Sequence, residues 1–341
     1  MAYITLKRQH FFHNLDIIAK LSKSKDKIAL VLKDNAYGHG LCEMASMAAE
    51  YGIKRAVVRS YDEARMVAEF FDYILVLADS PKEYSEKIRY TINDIESIAH
   101  FAKGTKVELK VNSGMNRNGI EPSELERAFK KIAAKDLVLE AVFTHHACAD
   151  EADERYYKMQ KEAFESIKKR AESLATQYGF APLRYHSCNS AALFRERDFD
   201  EDMARVGIAA YGCLEMPRGV DSESKKLLPV LSLYAKRISQ RKLSKYDAVG
   251  YGATFKATKA SCVSNYDFGY ADGFLRSASG SFVTPQGVAL AGRISMDNSS
   301  FISDEAELLV FDDASSLAKA AKTISYEVLT SLKSYLHRKI V

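Results

Sequence analysis

The chain has 341 residues, 47% hydrophobic and 28% charged, which suits a soluble globular protein of two domains. Its net charge of +4 comes from 49 basic and 45 acidic residues dispersed among one another, which argues against nucleic acid as a partner. Five cysteines (Cys42, Cys148, Cys188, Cys213 and Cys262) form no CxxC pair, and this speaks against a disulfide framework or zinc ribbon and for reduced thiols.

The N-terminal MAYITLKRQHFFHNL is amphipathic without an apolar signal core, and no stretch is long enough to span a bilayer, so the cytoplasm is expected. Its first dozen residues also read as a strand, one that pairs with the mainly-β domain of residues 229–341. From residue 28 to about 212, short apolar strands alternate with amphipathic helices. The strands are IALVLK (28–33), RAVVRS (55–60), YILVLA (73–78), RYTIN (89–93), KVELKV (106–111), LEAVFTHH (139–146), RYHSC (184–188) and ARVGIAAYG (204–212). Eight strands, mostly followed by helices, predict a parallel sheet closed into a (β/α)8 TIM-type barrel. The alternative is an open doubly wound sheet, but no GxGxxG opens the first crossover. After Leu228-Pro229 the pattern changes to alternating strands such as PVLSLYAKRI, AVGYGATF, SCVSNYDFGYADGF, VALAGRISM and AELLVF. Helical periodicity returns only in ASSLAKAAKTISYEVLTSLKSYL. The fold class is therefore α/β, with a barrel over residues 1–228 and a mainly-β domain over residues 229–341.

Polar residues gather at the C-terminal ends of the barrel strands, where such barrels carry their active sites. Lys33 ends the first strand and precedes DNAYGHG, whose Gly38 and Gly40 let backbone approach a bulky ligand. A desolvated lysine there loses pKa and becomes a nucleophile toward an aldehyde, although a lysine ending a strand also serves as a solvated cap. Lys110 ends the fifth strand, with Arg117 in the loop after it. His145 and His146 end the sixth, without the carboxylate company that a metal pair needs. Asn189 and Ser190 follow the seventh; Ser190 reads equally as a helix N-cap or as part of an anion site facing Gly207 and Ile208. Arg205 lies inside an apolar strand, where a guanidinium requires a ligand or a buried partner.

Assembled in order, these motifs resemble alanine racemase, a family of fold-type III pyridoxal-phosphate enzymes, over essentially the whole chain. VLKDNAYGHG, VNSGMNRNGI, THHACAD, HSCNSAA and ARVGIAAYG are similar to the family's barrel motifs, and VGYGATF, FGYADGFLR and AGRISMD to those of its second domain. The resemblance implies pyridoxal 5'-phosphate held covalently by Lys33, which also acts as one catalytic base. It implies a phosphate site of Tyr37, Asn189, Ser190, Gly207, Ile208 and Tyr326, with Gly207 and Ile208 contributing backbone amides. Arg205 would face the pyridine nitrogen and keep it unprotonated, and His145 would pack on the ring and connect Arg205 to Tyr251, the second base. Arg117 and Met296 would bind the substrate carboxylate, with Lys110, open to carbamylation, orienting Arg117. Tyr270, Arg276 and Asp297 take supporting positions, and no metal is implied.

The same resemblance implies racemisation of L- and D-alanine for peptidoglycan synthesis. It also implies a homodimer in which Tyr251 and Met296 cross to the partner's site. The sequence departs from the family pattern at Asp34, Asn112-Ser113, His146 and Cys188. The rival readings are a fold-type III decarboxylase, a racemase of broader specificity, and a non-catalytic pyridoxal-phosphate carrier; Tyr251 in VGYGATF and the second domain speak against the first and last.

Overall fold

The computed structural model describes residues 1–341. The chain opens with β1 (Tyr3–Leu6) and a helix over Arg8–Leu21. Eight barrel strands follow: β2 (Ile28–Val31), β3 (Arg55–Val58), β4 (Tyr73–Val76), β5 (Ile88–Ile92), β6 (Lys106–Lys110), β7 (Val138–Phe143), β8 (Arg184–His186) and β9 (Ala204–Val206). They pair, all parallel, in the order β8-β7-β6-β5-β4-β3-β2-β9. Between β8 and β9 there is no ladder. The seam is closed by single bonds, the Arg205 N–H to the Cys188 carbonyl at 2.9 Å and the Asp202 N–H to that of Tyr185 at 3.2 Å.

All eight predicted strands are present, most of them shorter than their apolar runs. The first stops at Val31, so Lys33 stands beyond the sheet rather than on it. β2 and β4 are buried at every position because helices cover the outer face of a closed parallel sheet while the lumen covers the inner one. Inside, Ala29, Val31, Val57, Tyr73, Leu75, Phe143 and Met203 pack together. The gathering of polar groups at the C-terminal end has an exception. Alternation along β6 and β8 also turns Glu108 and Arg184 inward, and they form a second charged layer deeper in the lumen.

The second domain is built on β10 (Leu231–Leu243), with β11 (Ala248–Val249), β12 (Phe255–Lys256), β13 (Ser261–Tyr266), β14 (Ser299–Phe301), β15 (Glu307–Phe311) and β16 (His337–Ile340). Its sheet runs β14-β13-β10-β1-β16, with β15 also on β10. The first strand of the chain thus lies in the sheet of the second domain, antiparallel to β10 and parallel to the terminal strand. Two segments differ from expectation. VALAGRISM makes only the isolated bridges Val283–Ala289 and Leu290–Phe301, because its Gly292 (φ +81) turns tightly against the Val249 carbonyl. The last helical stretch splits into Ala314–Ala321 and Ser325–Ser331 where Lys322 takes a left-handed conformation (φ 57) and caps the first piece. No helix is long and apolar enough to cross a membrane.

Buried Asn14 pins the first helix to the end of the barrel, and buried Arg338 ties the second domain to it. Asn14 donates to the carbonyls of Ala210 and Leu228 and accepts from the Leu228 amide. On β16, Arg338 donates to the Gly38 carbonyl from Nε (3.1 Å) and Nη2 (2.8 Å), and to the carbonyls of Lys333, Ser334 and Leu336. Gly38 (φ +75) lies so close to the Ser325–Ser331 helix that an added Cβ would sit 2.0 Å from the Leu329 carbonyl oxygen. Gly38→Ala is therefore expected to cost at least the ~1–3 kcal/mol of a non-glycine residue held in the left-handed region. The drop is read as a lower urea midpoint; an unchanged midpoint would show that this junction is loose.

Candidate active site

The segment after Lys33 is a left-handed turn of four non-glycine residues: Asp34 (φ 55), Asn35 (φ 56), Ala36 (φ 51) and Tyr37 (φ 51). Such residues cost roughly 1–2 kcal/mol each in this region, so the turn persists only because its surroundings fix it. The Asp34 amide donates to Glu63 Oε1 at 2.7 Å, the Leu41 amide to Asn35 Oδ1 at 2.9 Å, and the Ala36 amide to the Leu32 carbonyl at 2.8 Å. Arg338 holds the following carbonyl. The turn brings Lys33 and Tyr37 to the same mouth of the barrel.

Lys110 is buried two residues beyond Glu108 on the inner face of β6. Burial, and then the charges of Arg205, Arg117 and Lys33, pull its pKa down to about 8. Arg117 projects from a loop organised by Asn112, whose Oδ1 accepts from the Gly114 and Asn116 amides and whose Nδ2 donates to Asn116 and Glu121. Gly119 (φ +109) is required there, since a Cβ would lie 2.9 Å from the Asn112 nitrogen. Arg117 itself is exposed and makes no ion pair. Among Lys33, Lys110, Arg117 and Arg205, ion-pair reach extends to one carboxylate. It is Asp34, 3.6 Å from Lys33 Nζ and shared with Arg59 at 3.2 Å. A basin of four cations with one partly engaged acid is built for an anionic ligand.

Arg205 is buried, and burial pulls its pKa below the ordinary arginine value. Nη1 donates to His186 Nδ1 (2.5 Å) and the His186 carbonyl (3.2 Å), and Nη2 to the carbonyls of Thr144 (2.7 Å) and Ser187 (3.0 Å). The predicted buried partner is thus mostly backbone. A guanidinium has five N–H donors; the terminal nitrogens are engaged, and Nε–H remains free. His145 Nδ1 lies 3.5 Å from Nη2, and burial followed by the charge of Arg205 lowers the His145 pKa well below its usual value, which keeps it neutral.

Beside Arg205 lies a small cradle. Ser190 Oγ accepts from the Gly207 amide (3.1 Å) and more weakly from that of Ala209 (3.4 Å). The N-cap of the following helix is Asn189, which accepts from the Ala192 amide; Ser190 is its first residue, so the cap reading of Ser190 is corrected. A Cβ on Gly207 would lie 2.9 Å from the Tyr37 hydroxyl, so only glycine leaves that space open. Tyr326 comes in from the second domain, its ring 5.8 Å from that of Tyr37. Burial raises the pKa of both phenols, which remain hydrogen-bond donors. The Ile208 amide is buried without a backbone acceptor. These donors fit a phosphate, and the free Nε–H of Arg205 fits a ring nitrogen.

The structure therefore gathers Lys33, Tyr37, Lys110, Arg117, His145, Asn189, Ser190, Arg205, Gly207, Ile208 and Tyr326 at one mouth. Within a single chain it does not bring Tyr251, Met296, Tyr270, Arg276 or Asp297 into hydrogen bonds with that group. Tyr251 is 68% exposed and Met296 55%. Tyr270 and Met296 are backbone neighbours, the Ala271 amide bonding the Met296 carbonyl. Sequence reasoning missed Tyr73, Glu108, Arg184 and His186 behind Arg205, and Arg338 behind the Lys33 loop. A charge inside the strand KVELKV, in step with Lys110, was the available signal for Glu108.

Fold and site together define a parallel (β/α)8 barrel with a lysine and an amide-lined cradle at one mouth. Residues 6–215 match the family model for the alanine racemase N-terminal domain and residues 230–340 that for its C-terminal domain. The chain is 40% identical over 338 residues to the alanine racemase of a Nitratiruptor species, covering 99% of both. Its fold superposes on a crystal structure of alanine racemase from Bacillus anthracis with bound L-Ala-P (28% identity, TM-score 0.87, 100% of this chain and 95% of that one). It also superposes on a histidine racemase from Leuconostoc mesenteroides subsp. sake (26% identity, TM-score 0.83, 100% and 98%). The chain belongs to the alanine racemase family and is an isomerase of that family.

The Lys110 environment generates a stability test. Its folded pKa of about 8 lies below that of a free lysine, so the unfolded chain binds more protons between those values and stability rises with pH across that window. In carbon-dioxide-free buffer, Lys110→Met should stabilise the protein at pH 7 by up to ~3 kcal/mol, the equivalent of the shift, and by nothing above the unfolded pKa. Urea midpoints of both proteins from pH 7 to 11 check this. A constant difference would show that the amine is not penalised.

Proposed function

We propose that the chain interconverts L- and D-alanine with pyridoxal 5'-phosphate bound at the barrel mouth, using Lys33 and Tyr251 as bases on opposite faces of the substrate. The observation that carries this reading is the cation basin around a glycine-lined cradle. Four positive groups with one shared carboxylate suit a phosphate and a substrate carboxylate bound side by side. Tyr37, Asn189, Ser190, Gly207, Ile208 and Tyr326 would hold the phosphate, and Lys33 would anchor the cofactor. When bound, the cofactor supplies a ring system that delocalises the charge developing at Cα as its proton leaves.

The remaining steps belong to the protein. Lys33 takes or returns the proton on its own face. Arg205 would offer its free Nε–H to the ring nitrogen of the bound cofactor and, as a strong cation, would surrender no proton to it. His145, neutral beside Arg205, would pack against the ring and connect Arg205 toward Tyr251. Arg117 and the Met296 amide receive the substrate carboxylate. Lys110, with its lowered pKa, has a neutral fraction near pH 8 whose nitrogen can add to carbon dioxide and lose a proton. The resulting carbamate is an anion able to orient Arg117.

A phenol serves as a base near neutrality only beside positive charge, so Tyr251 requires the Arg205 and His145 neighbourhood. Because its ring lies exposed on the chain, the reading supplies it, with Met296, from a second copy, and the working enzyme is a homodimer. Tyr270, Arg276 and Asp297 support this edge of the site. The boundary between the two domains is placed at residues 228 and 229. The cytoplasm as location, and D-alanine supply for peptidoglycan as role, complete the proposal. A broader amino-acid preference is the second reading, favoured by the shared fold with a histidine racemase. A chiral assay with alanine, serine and histidine in competition separates the two.

Tyr251→Phe tests the two-base site. Racemisation should fall ~10²–10⁴-fold in both directions, the usual contribution of a general base. Exchange of the Cα proton for deuterium should persist with one enantiomer, through Lys33, and fail with the other. Mixed dimers with Lys33→Ala should regain part of the activity. Equal exchange of both enantiomers would remove Tyr251 from the mechanism, and no recovery after proven subunit exchange would place both bases in one chain.

A further inference from the structure

The charged layer beneath Arg205 is unused by the chemistry described above. Glu108, 0% exposed, accepts on Oε2 from His186 Nε2 at 2.9 Å. Its Oε1 accepts from the Tyr73 hydroxyl at 2.5 Å and from Arg184 Nη2 at 2.9 Å. Burial alone would raise the Glu108 pKa, but the hydrogen bond from His186, the Arg184 charge and the Tyr73 hydroxyl hold it well below the ordinary carboxylate range. His186 is also fully buried, and burial lowers its pKa. The Glu108 carboxylate opposes that pull, and the geometry decides: only a bare Nδ1 can accept from Arg205 Nη1, 2.5 Å away, so the ring is neutral with a single proton.

That proton has one place to be. A carboxylate can only accept, so Nε2 carries the hydrogen and Nδ1 is bare. Arg205 Nη1 can only donate, and it lies 2.5 Å from Nδ1. The two neighbours select the same tautomer from opposite sides of the ring. Phe143 stacks on His186 with centroids 4.7 Å apart and planes 13° off parallel, and the Arg205 guanidinium lies 5.1 Å from the same Phe143 ring. The imidazole therefore has no freedom to tip away.

We propose that Glu108 is a positioning residue for Arg205. It fixes His186 as the Nε2–H tautomer, and so holds the guanidinium where its Nε–H faces the cofactor's ring nitrogen. The proposal rests on the reading of Arg205 given above. Glu108 reaches neither cofactor nor substrate and acts only through His186. If the tautomer flips, an imidazole N–H meets a guanidinium N–H, Arg205 loses an acceptor, and the free donor turns out of line.

Glu108→Gln keeps the shape and removes the charge. The new amide presents its NH2 either to His186, which reverses the tautomer, or to Arg184, which repels it. With imidazole-15N histidine, the eight histidines of the chain give spectra in which His186 is assigned by its loss in His186→Asn. The parent, with or without cofactor, should show His186 protonated at Nε2, and the variant should show it protonated at Nδ1. In the holoenzyme the variant's kcat for alanine should fall about 10-fold or more, the equivalent of a hydrogen bond to a charged group, with KM little changed. The release of pyruvate, with conversion of pyridoxal phosphate to its amine form, should rise relative to racemisation.

Tyr73→Phe removes a hydrogen bond to the same carboxylate without touching His186. It should lower the urea midpoint while leaving tautomer, kcat and product ratio as in the parent. Glu108→Asp keeps the charge and should restore the parent tautomer with part of the kcat. A parent His186 protonated at Nδ1 or at both nitrogens overturns the proposal without any variant. So does an unchanged tautomer or product ratio in Glu108→Gln, or a Tyr73→Phe enzyme as impaired as the glutamine variant. Arg205→Lys separates the two levels: a parental product ratio there removes Arg205 from the ring nitrogen, whereas a changed ratio there with none in Glu108→Gln removes Glu108 alone.

Discussion

A guanidinium buried inside a parallel barrel is the constraint from which the site follows. Arg205 stands on the last strand with burial working against its charge, and the fold answers with three backbone carbonyls and a histidine nitrogen. Those carbonyls, on Thr144, His186 and Ser187, belong to the ends of two neighbouring strands. The same residue therefore draws together the seam at which β8 and β9 share no ladder. Leaving a buried charge short of acceptors costs far more than an ordinary hydrogen bond contributes, so this arrangement is set firmly. What it leaves over is one N–H, the donor that the proposed function assigns to the ring nitrogen.

The second organising fact is the concentration of positive charge. Lys33, Lys110, Arg117 and Arg205 share the mouth with a single carboxylate, Asp34, which is also engaged by Arg59. Such a basin stays compact because rigid parts hold it open: the Asn112-centred loop under Arg117, the barrel wall under Lys110, and the left-handed turn after Lys33. The turn is the most strained of these. Its anchors, Glu63 on one side and Arg338 on the other, come from a barrel helix and from the last strand of the chain, so the site depends on both domains being folded.

The barrel was legible because strands covered on both faces read as apolar runs, and the helices between them carry a clear amphipathic period. In the second domain that signal fades. The three residues of β14 are too few to alternate, and the HRKI of β16 is polar enough to pass for a tail. Single residues divide in the same way. Lys33, Lys110 and Arg205 stand out as charges against apolar neighbours. The turn from Asp34 to Tyr37 is invisible in sequence because none of its residues is a glycine. Glu108 and His186 were readable as polar positions in strands, but their pairing is produced by barrel closure, which brings residues 78 apart into contact. Tyr251 and Met296 remain exposed on the chain, so their roles were legible only through the motifs that carry them.

The central claim is that a buried cation, rather than a carboxylate, faces the cofactor's ring nitrogen, weakening the electron sink enough to favour return of the proton over side reactions. Pyridoxal phosphate labelled with 15N in the ring, bound to the enzyme and observed by NMR, tests this directly. The account predicts a resonance of the unprotonated pyridine type that keeps its position from pH 6 to 9. A pyridinium-type resonance, or one that titrates across that range, would contradict it.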